Sequence, residues 1–320
     1  MSKKRIFITG ASGCVGHYLV ETLIRNTEHE LFLLVRDPSR LKVDRSLRPG
    51  VHLIPGSLES IAPHRRLLAT MDVAILVATA WGDPAITQQV NVDSTLEILD
   101  ALDPARLERV YYFSTESVLG YDNRPLPEAE LYGTDYIRTK AECLKAIEHH
   151  PLADRVTVLF PTLVFGGEPG RPYSHLSGGL KEVVSWLWLI RFFQADASFH
   201  FVHSYDIAQI VRYLVDHPPE QPQLQKLVLG SPAMTVNEAI AQACQYFGVR
   251  RSWVRLPLSH RFAELMLRLF RIEVQPWDRH CIRYRHFTHQ GTVSPADFGM
   301  VPYANTLAQL FEVSGQPSRS

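Results

Sequence analysis

Apolar positions in the first half of the chain come in short β-branched runs separated by helical patterns. Arg5–Thr9 predicts a strand, and Val15–Ile24 a helix carrying Val15, Leu19, Val20, Leu23 and Ile24 on one face. Leu31–Val35 and Val51–Ile54 predict two more strands. Val73–Val77 is apolar without interruption, as a strand covered on both faces must be. A helix over Ile86–Leu102, a strand over Val110–Ser114, a helix over Tyr136–His149 and a strand over Arg155–Phe160 follow. This alternation calls for right-handed crossovers, so the expected fold is α/β with a doubly wound parallel sheet. After Gly166 the texture changes. Residues 167–172 and 217–222 read as loops, Lys226–Leu229 as a late strand, and Val236–Phe247 and His260–Phe270 as helices. The expected division is a sheet domain over 1–166 and, over 167–320, mostly a smaller C-terminal substrate lobe with segments returning to the sheet.

The longest apolar run, Val183–Ile190, ends at Arg191 and falls short of the about 20 residues a membrane span needs. A buried helix is expected there. A wall for an apolar substrate, or a surface lying on a membrane, are the alternatives. The basic start is followed only by Ile6, Phe7 and Ile8 before Thr9, too short for the apolar core of a signal peptide. Lys and Arg number 33 against 33 Asp and Glu, a balance that argues against a nucleic-acid footprint. Cys14, Cys143, Cys244 and Cys281 fit no zinc spacing and read as free thiols of a reducing compartment. A cytoplasmic protein is therefore expected, with no transmembrane span; peripheral membrane contact and a homodimer stay open.

Thr9-Gly10-Ala11-Ser12-Gly13-Cys14-Val15-Gly16 sits between the first strand and the first helix. Glycines there let the backbone turn tightly and let a pyrophosphate approach, while the helix N-terminus offers unpaired N–H groups. This is the Rossmann-type arrangement for a dinucleotide. Arg36, at the end of the second strand, can pair with the 2′-phosphate of NADP but cannot accept from the ribose of NAD. NADP is favoured; Asp37 next to it keeps NAD as the alternative.

Tyr136 and Lys140 are four apart and share a helix face. An ammonium beside the phenol would favour the phenolate, which suits a general acid/base for hydride transfer between a ketone and an alcohol. Ser114 and Thr115 end the fifth strand, at the sheet edge where ligands of open α/β sheets bind. Thr115 could hold the substrate oxygen while Tyr136 moves its proton. Glu116 follows directly and is expected to be solvated or structural. His280, His286 and His289 lie close in sequence, but no carboxylate or cysteine completes a metal site, and none is expected.

These motifs resemble the extended short-chain dehydrogenase/reductase family, which includes NAD-dependent epimerases and dehydratases, 3β-hydroxysteroid dehydrogenases and dihydroflavonol reductases. The glycine segment resembles its TGxxGxxG, Asn91–Thr95 its NVxGT, and Ser114–Gly120 its serine/threonine strand. Tyr136 and Lys140 resemble its YxxxK, Phe160–Gly166 its RPxxVxG, residues 201–208 its FVHVxDxA and residues 297–302 its LGxxP. The resemblance implies catalytic roles for Thr115, Tyr136 and Lys140. It implies a cofactor site of Thr9, Gly10, Ser12, Gly13, Cys14, Val15, Gly16, Arg36, Ser57, Leu58, Ala78, Thr79, Ala80, Asn91, Ser114, Tyr136, Lys140, Pro161 and Leu163. The chain departs at Ser57, where the family usually has aspartate, at Phe160, where it has arginine, and before Ala78, where a common histidine is missing.

Three readings follow. The first is a reductase or dehydrogenase using NADP on a carbonyl or secondary alcohol. Trp186, Trp188, Phe192, Phe193, Phe262, Leu265, Met266, Leu269 and Phe270 suggest an apolar small-molecule substrate if some line the cleft, and no clear arginine signature for a diphosphate accompanies them. The second is a nucleotide-sugar epimerase or dehydratase that keeps its cofactor bound. The third is a non-catalytic binding or assembly protein.

Overall fold

The computed structural model describes residues 3–259 and 273–315; the expected helix His260–Phe270, with Phe262, Leu265, Met266, Leu269 and Phe270, lies outside them. One seven-stranded sheet dominates. It consists of β1 (Arg5–Thr9), β2 (Glu30–Val35), β3 (Val51–Pro55), β4 (Val73–Leu76), β5 (Arg109–Phe113), β6 (Val156–Pro161) and Gln225–Leu229. Across the sheet they run β3, β2, β1, β4, β5, β6 and then Gln225–Leu229, with every neighbouring pair parallel. The order reverses between β1 and β4, which opens a crevice at their carboxyl ends.

Period-two alternation sorts the strand residues into two cores. Phe7, Phe32, Ala74 and Leu76 face one layer, with the helices Ser94–Ala101 and Asp135–Glu148. Ile6, Ile8, Leu31 and Leu33 face the other, with α1 (Cys14–Asn26) and the helix Ser204–Asp216. Both layers are apolar and buried, so each large side chain contributes about 1.5–3 kcal/mol of burial, and runs apolar on both faces result.

The stretch expected as one helix over Ile86–Leu102 is three pieces: Pro84–Gln88, a wide π turn over Gln89–Asp93, and Ser94–Ala101. In the C-terminal half, Gln225–Leu229 pairs with β6 and the helix Ser204–Asp216 packs on the sheet beside α1. Asp206 fastens a later segment back onto this layer by accepting from the Tyr303 and Ala304 amides at 2.7 and 3.3 Å. Leu180, Leu187, Phe201, Phe247, Leu307, Leu310 and Phe311 form a third, smaller core for the lobe. The apolar run at 183–190 corrects the expectation of a buried helix: of its large side chains only Leu187 is buried, while Val183, Trp186, Trp188 and Leu189 are exposed. A short helical turn over Leu187–Ile190 can bury only the side that meets the lobe core. Among the described residues no helix is long and apolar enough to cross a membrane.

Candidate active site

The first βα turn is shaped by its glycines. Gly10 has φ +73°, and a Cβ there would lie 2.6 Å from the Ala78 amide nitrogen. At Gly16 a Cβ would sit 2.0 Å from the Gly10 carbonyl oxygen, so only glycine lets the helix pack on the loop. Gly13 caps α1, and a Cβ there would meet only Gly10 O, at 3.4 Å. The first turn of α1 has no acidic side chain and no side-chain cap, which leaves its N–H dipoles for an anion. His17 braces this loop. Its Nε2 accepts from the Lys42 amide at 3.0 Å, so its Nδ1 carries the proton and donates to Gly13 O at 2.9 Å. Burial lowers its pKa and keeps this tautomer neutral.

Beyond the loop the cleft runs to Leu34, Arg36, Arg40, Ser57, Leu58 and Glu59. Arg36 is largely exposed and stands 4.0 Å from Glu59. Asp37 turns away from the cleft, where its carboxylate accepts from the Ser39 amide and hydroxyl at 3.0 and 2.7 Å. Those bonds hold it below the usual carboxylate range.

At the other end, β5 delivers Ser114 and Thr115 to the sheet's carboxyl edge, and the helix Asp135–Glu148, capped by Thr134, presents Tyr136 and Lys140. Lys140 is buried. Its Nζ donates to the Phe113 carbonyl at 2.7 Å and lies 4.9 Å above the Tyr112 ring. Desolvation pulls its pKa down to about 8. Burial raises the Tyr136 phenol, and only the Thr115 hydroxyl opposes it. In this arrangement one N–H of the Lys140 ammonium is taken by a backbone carbonyl, and burial holds the Tyr136 phenol above its ordinary value. Trp81 packs edge-on against Tyr136 at 5.5 Å.

The expected site residues line one cleft of about 960 Å³, with two exceptions. Thr9 is buried beneath the loop, its hydroxyl accepting from the Ala78 amide at 3.3 Å. Asn91 lies behind the wall. Its Oδ1 accepts from Thr79 Oγ1 and the Ala80 amide at 3.0 and 2.9 Å, and its Nδ2 donates to Ala80 O and Thr139 Oγ1, both at 3.0 Å. Asn91 is thus a positioning residue, and the π turn sets its side chain among these partners.

Glu116 is not solvated. It borders the cleft, is buried, and meets His289 Nε2 at 3.1 Å. The His289 amide donates to His200 Nε2 at 3.0 Å, which leaves His200 Nδ1 to donate to Ser231 O at 2.7 Å. Burial raises the Glu116 carboxyl, against His289. Among the described residues no group of three or more His, Cys, Asp or Glu could hold a metal ion. Sequence reasoning passed over His17, Arg40 and the His289 partner of Glu116. Only His17 left a local signal, as a histidine four positions after the helix-capping glycine.

Residues 6–230 match the sequence model of the NAD dependent epimerase/dehydratase family. Over 160 residues the chain is 29% identical to the 4-hydroxy-2-methyl-3-oxo-4-farnesyl-3,4-dihydroquinoline-1-oxide ketoreductase of Stigmatella aurantiaca, covering 49% of this chain and 42% of that protein. Over 153 residues it is 26% identical to short-chain dehydrogenase/reductase family 42E member 1 of Xenopus laevis, covering 43% and 38%. The match spans less than half the length of either relative. In fold, the chain is similar to the dTDP-glucose 4,6-dehydratase DesIV of Streptomyces venezuelae, with TM-score 0.66, 16% identity and coverage of 98% and 96%. It is also similar to a UDP-N-acetylglucosamine 4-epimerase of Methanobrevibacter ruminantium M1, with TM-score 0.65, 18% identity and coverage of 99% and 98%.

Proposed function

The chain belongs to the NAD-dependent epimerase/dehydratase family, and from that premise we propose that it is an NADP-dependent reductase or dehydrogenase acting on a carbonyl or secondary alcohol of a fairly apolar small molecule. The observation that carries the reading is that Thr115, Tyr136 and Lys140 open onto the same cleft as the glycine loop. The residues present fit a nicotinamide dinucleotide. Gly13 leaves room for a diphosphate, the first turn of α1 offers it unpaired N–H groups, and Arg36 and Arg40, which line the same cleft, are cations suited to a 2′-phosphate. When bound, the cofactor supplies or accepts the hydride.

The chain's own residues handle the proton. Thr115 Oγ1 and the Tyr136 phenol hold the substrate oxygen, and Tyr136, kept protonated by burial, donates its proton to that oxygen during reduction. Lys140 keeps two N–H donors beyond its bond to Phe113 O, available to hydroxyls in the cleft. Trp81, Leu163, Val164 and Leu176 line this end.

Two observations support an apolar substrate. The arginines lining the cleft are confined to its Arg36 and Arg40 end, whereas Trp81, Ile86, Val90, Leu163, Val164 and Leu176 surround the Tyr136 end. Arg171, near the mouth, is already engaged by Glu21 and Glu168. The relative named as a ketoreductase of a farnesyl-bearing quinoline agrees with this reading.

Glu116 beside Thr115 favours the second reading, a nucleotide-sugar dehydratase, since an acid there could assist loss of water. Net consumption of NADPH on a carbonyl substrate separates the two. Tyr136→Phe should cut turnover by roughly 10²–10⁴-fold and leave NADP affinity intact. Undiminished NADPH oxidation in that variant removes the mechanism.

A further inference from the structure

The exposed tryptophans of the lobe are left unused by this chemistry. Trp186 and Trp188 are 51% and 57% exposed, and Trp253 is 99% exposed. Val183, Leu189, Val254, Leu256 and Leu258 are exposed beside them in sequence. The two segments are joined in space. Leu256–Pro257 pairs in parallel with Phe193–Gln194, the Leu256 amide donates to Phe192 O at 2.7 Å, and Arg191 Nη1 donates to Arg250 O at 3.0 Å. Isolated exposed apolar side chains are ordinary, but a cluster of this kind marks an interaction surface.

Charge identifies the occupant. From Leu176 to Gln194 and from Arg250 to Leu258 the chain carries Lys181, Arg191, Arg250, Arg251 and Arg255 against one acid, Glu182. The whole chain has formal net charge zero, so these two segments are locally basic. Tryptophan seats at the boundary between headgroups and acyl chains, and basic side chains around it meet anionic headgroups.

The face also continues to the cleft. His175 and Leu176 line the cleft and begin the helix His175–Ser185, whose later residues include Lys181 and Val183. That helix is about 16 Å long, so the face begins within one short helix of the mouth.

We propose that the Trp186–Trp188 turn and the Arg250–Leu258 segment form a surface that docks on an anionic lipid bilayer and holds the cleft mouth near it. An apolar substrate could then pass from the membrane to the cleft without crossing water. Docking itself does not depend on the reaction proposed above.

The test is sedimentation of the full chain with phosphatidylcholine vesicles, with and without phosphatidylglycerol, read together with tryptophan emission. The expected result is binding that requires phosphatidylglycerol and weakens with salt, with a blue shift of the emission. Arg250→Gln with Arg251→Gln should weaken it by roughly thirty-fold, about five-fold per cation. Trp186→Ser, Trp188→Ser and Trp253→Ser together should abolish the blue shift, with the thermal midpoint unchanged in both variants. Failure of the intact chain to bind such vesicles, or equal binding by both variants, overturns the proposal. So does a dimer in light scattering that Trp188→Ser dissociates without any vesicle binding, which would assign the face to a second copy. NADP titration of the same samples reports separately on the cofactor site.

Discussion

Arg36→Ala tests the cofactor assignment most directly. The guanidinium is 72% exposed and its nearest acid, Glu59, is 4.0 Å away, so little of its charge is neutralised within the protein. A charge-assisted bond to a phosphate contributes about 1.5–3 kcal/mol. Exposure and screening by salt place Arg36 at the lower end, about 1.5 kcal/mol, or roughly tenfold in affinity. Arg40 lines the same end of the cleft and keeps the variant from losing all preference. NAD has no 2′-phosphate, so its affinity should change less than about twofold, within the worth of an exposed charge. Calorimetric titration with both dinucleotides, at low and high salt, reads the ratio. NADP binding should weaken about tenfold and become less salt-dependent in the variant. An unchanged NADP/NAD ratio, or an equal loss for both, would refute the assignment of Arg36 as the reader of the 2′-phosphate.

Lys140 makes a prediction about pH and stability. Its pKa is about 8 in the folded protein against an ordinary 10.5, so between those values the unfolded chain binds more protons and stability rises with pH. Lys140→Met should therefore gain stability relative to the parent below pH 8, by up to roughly 3 kcal/mol less the lost bond to Phe113 O, and that advantage should vanish by about pH 10.5. Urea midpoints of the two proteins that stay parallel across this range would contradict the burial argument. For the Glu116–His289 pair, His289→Leu leaves a buried carboxylate alone and should cost about 3–5 kcal/mol at neutral pH. Because burial raises Glu116, the penalty should shrink on acidification as the carboxyl protonates, and Glu116→Gln in the same chain should recover most of it. A cost independent of pH would sink this account.

The sheet was legible in the sequence because its strands are buried on both faces, and continuous apolar runs follow from that. The seven expected strands end within one residue of those observed. The glycine loop was legible because Gly10 and Gly16 answer steric demands of the loop itself and of the segment after β4, while Gly13 leaves space beside the helix end. The π turn at Gln89–Asp93 was not, since it accompanies bonds from Asn91 to Thr79, Ala80 and Thr139 that no local pattern announces. His289 lies 173 residues from Glu116, so their pairing is a property of the fold alone. The exposed tryptophans at 186 and 188 defeated the rule that greasy runs go inside. Burial needs an opposing element, and only Leu187 meets the lobe core.

The saturated side-chain amide of Asn91 has a consequence for how the cleft is built. It ties the loop after β4 to the helix bearing the phenol and the ammonium, so that wall is one stiff body. The facing wall hangs from Gly166 and Gly167, both at positive φ and both too crowded for a Cβ. The 167–176 strap is thus a separate wall, and substitutions in its side chains should leave the bonds of Asn91 to Ala80 and Thr139 undisturbed.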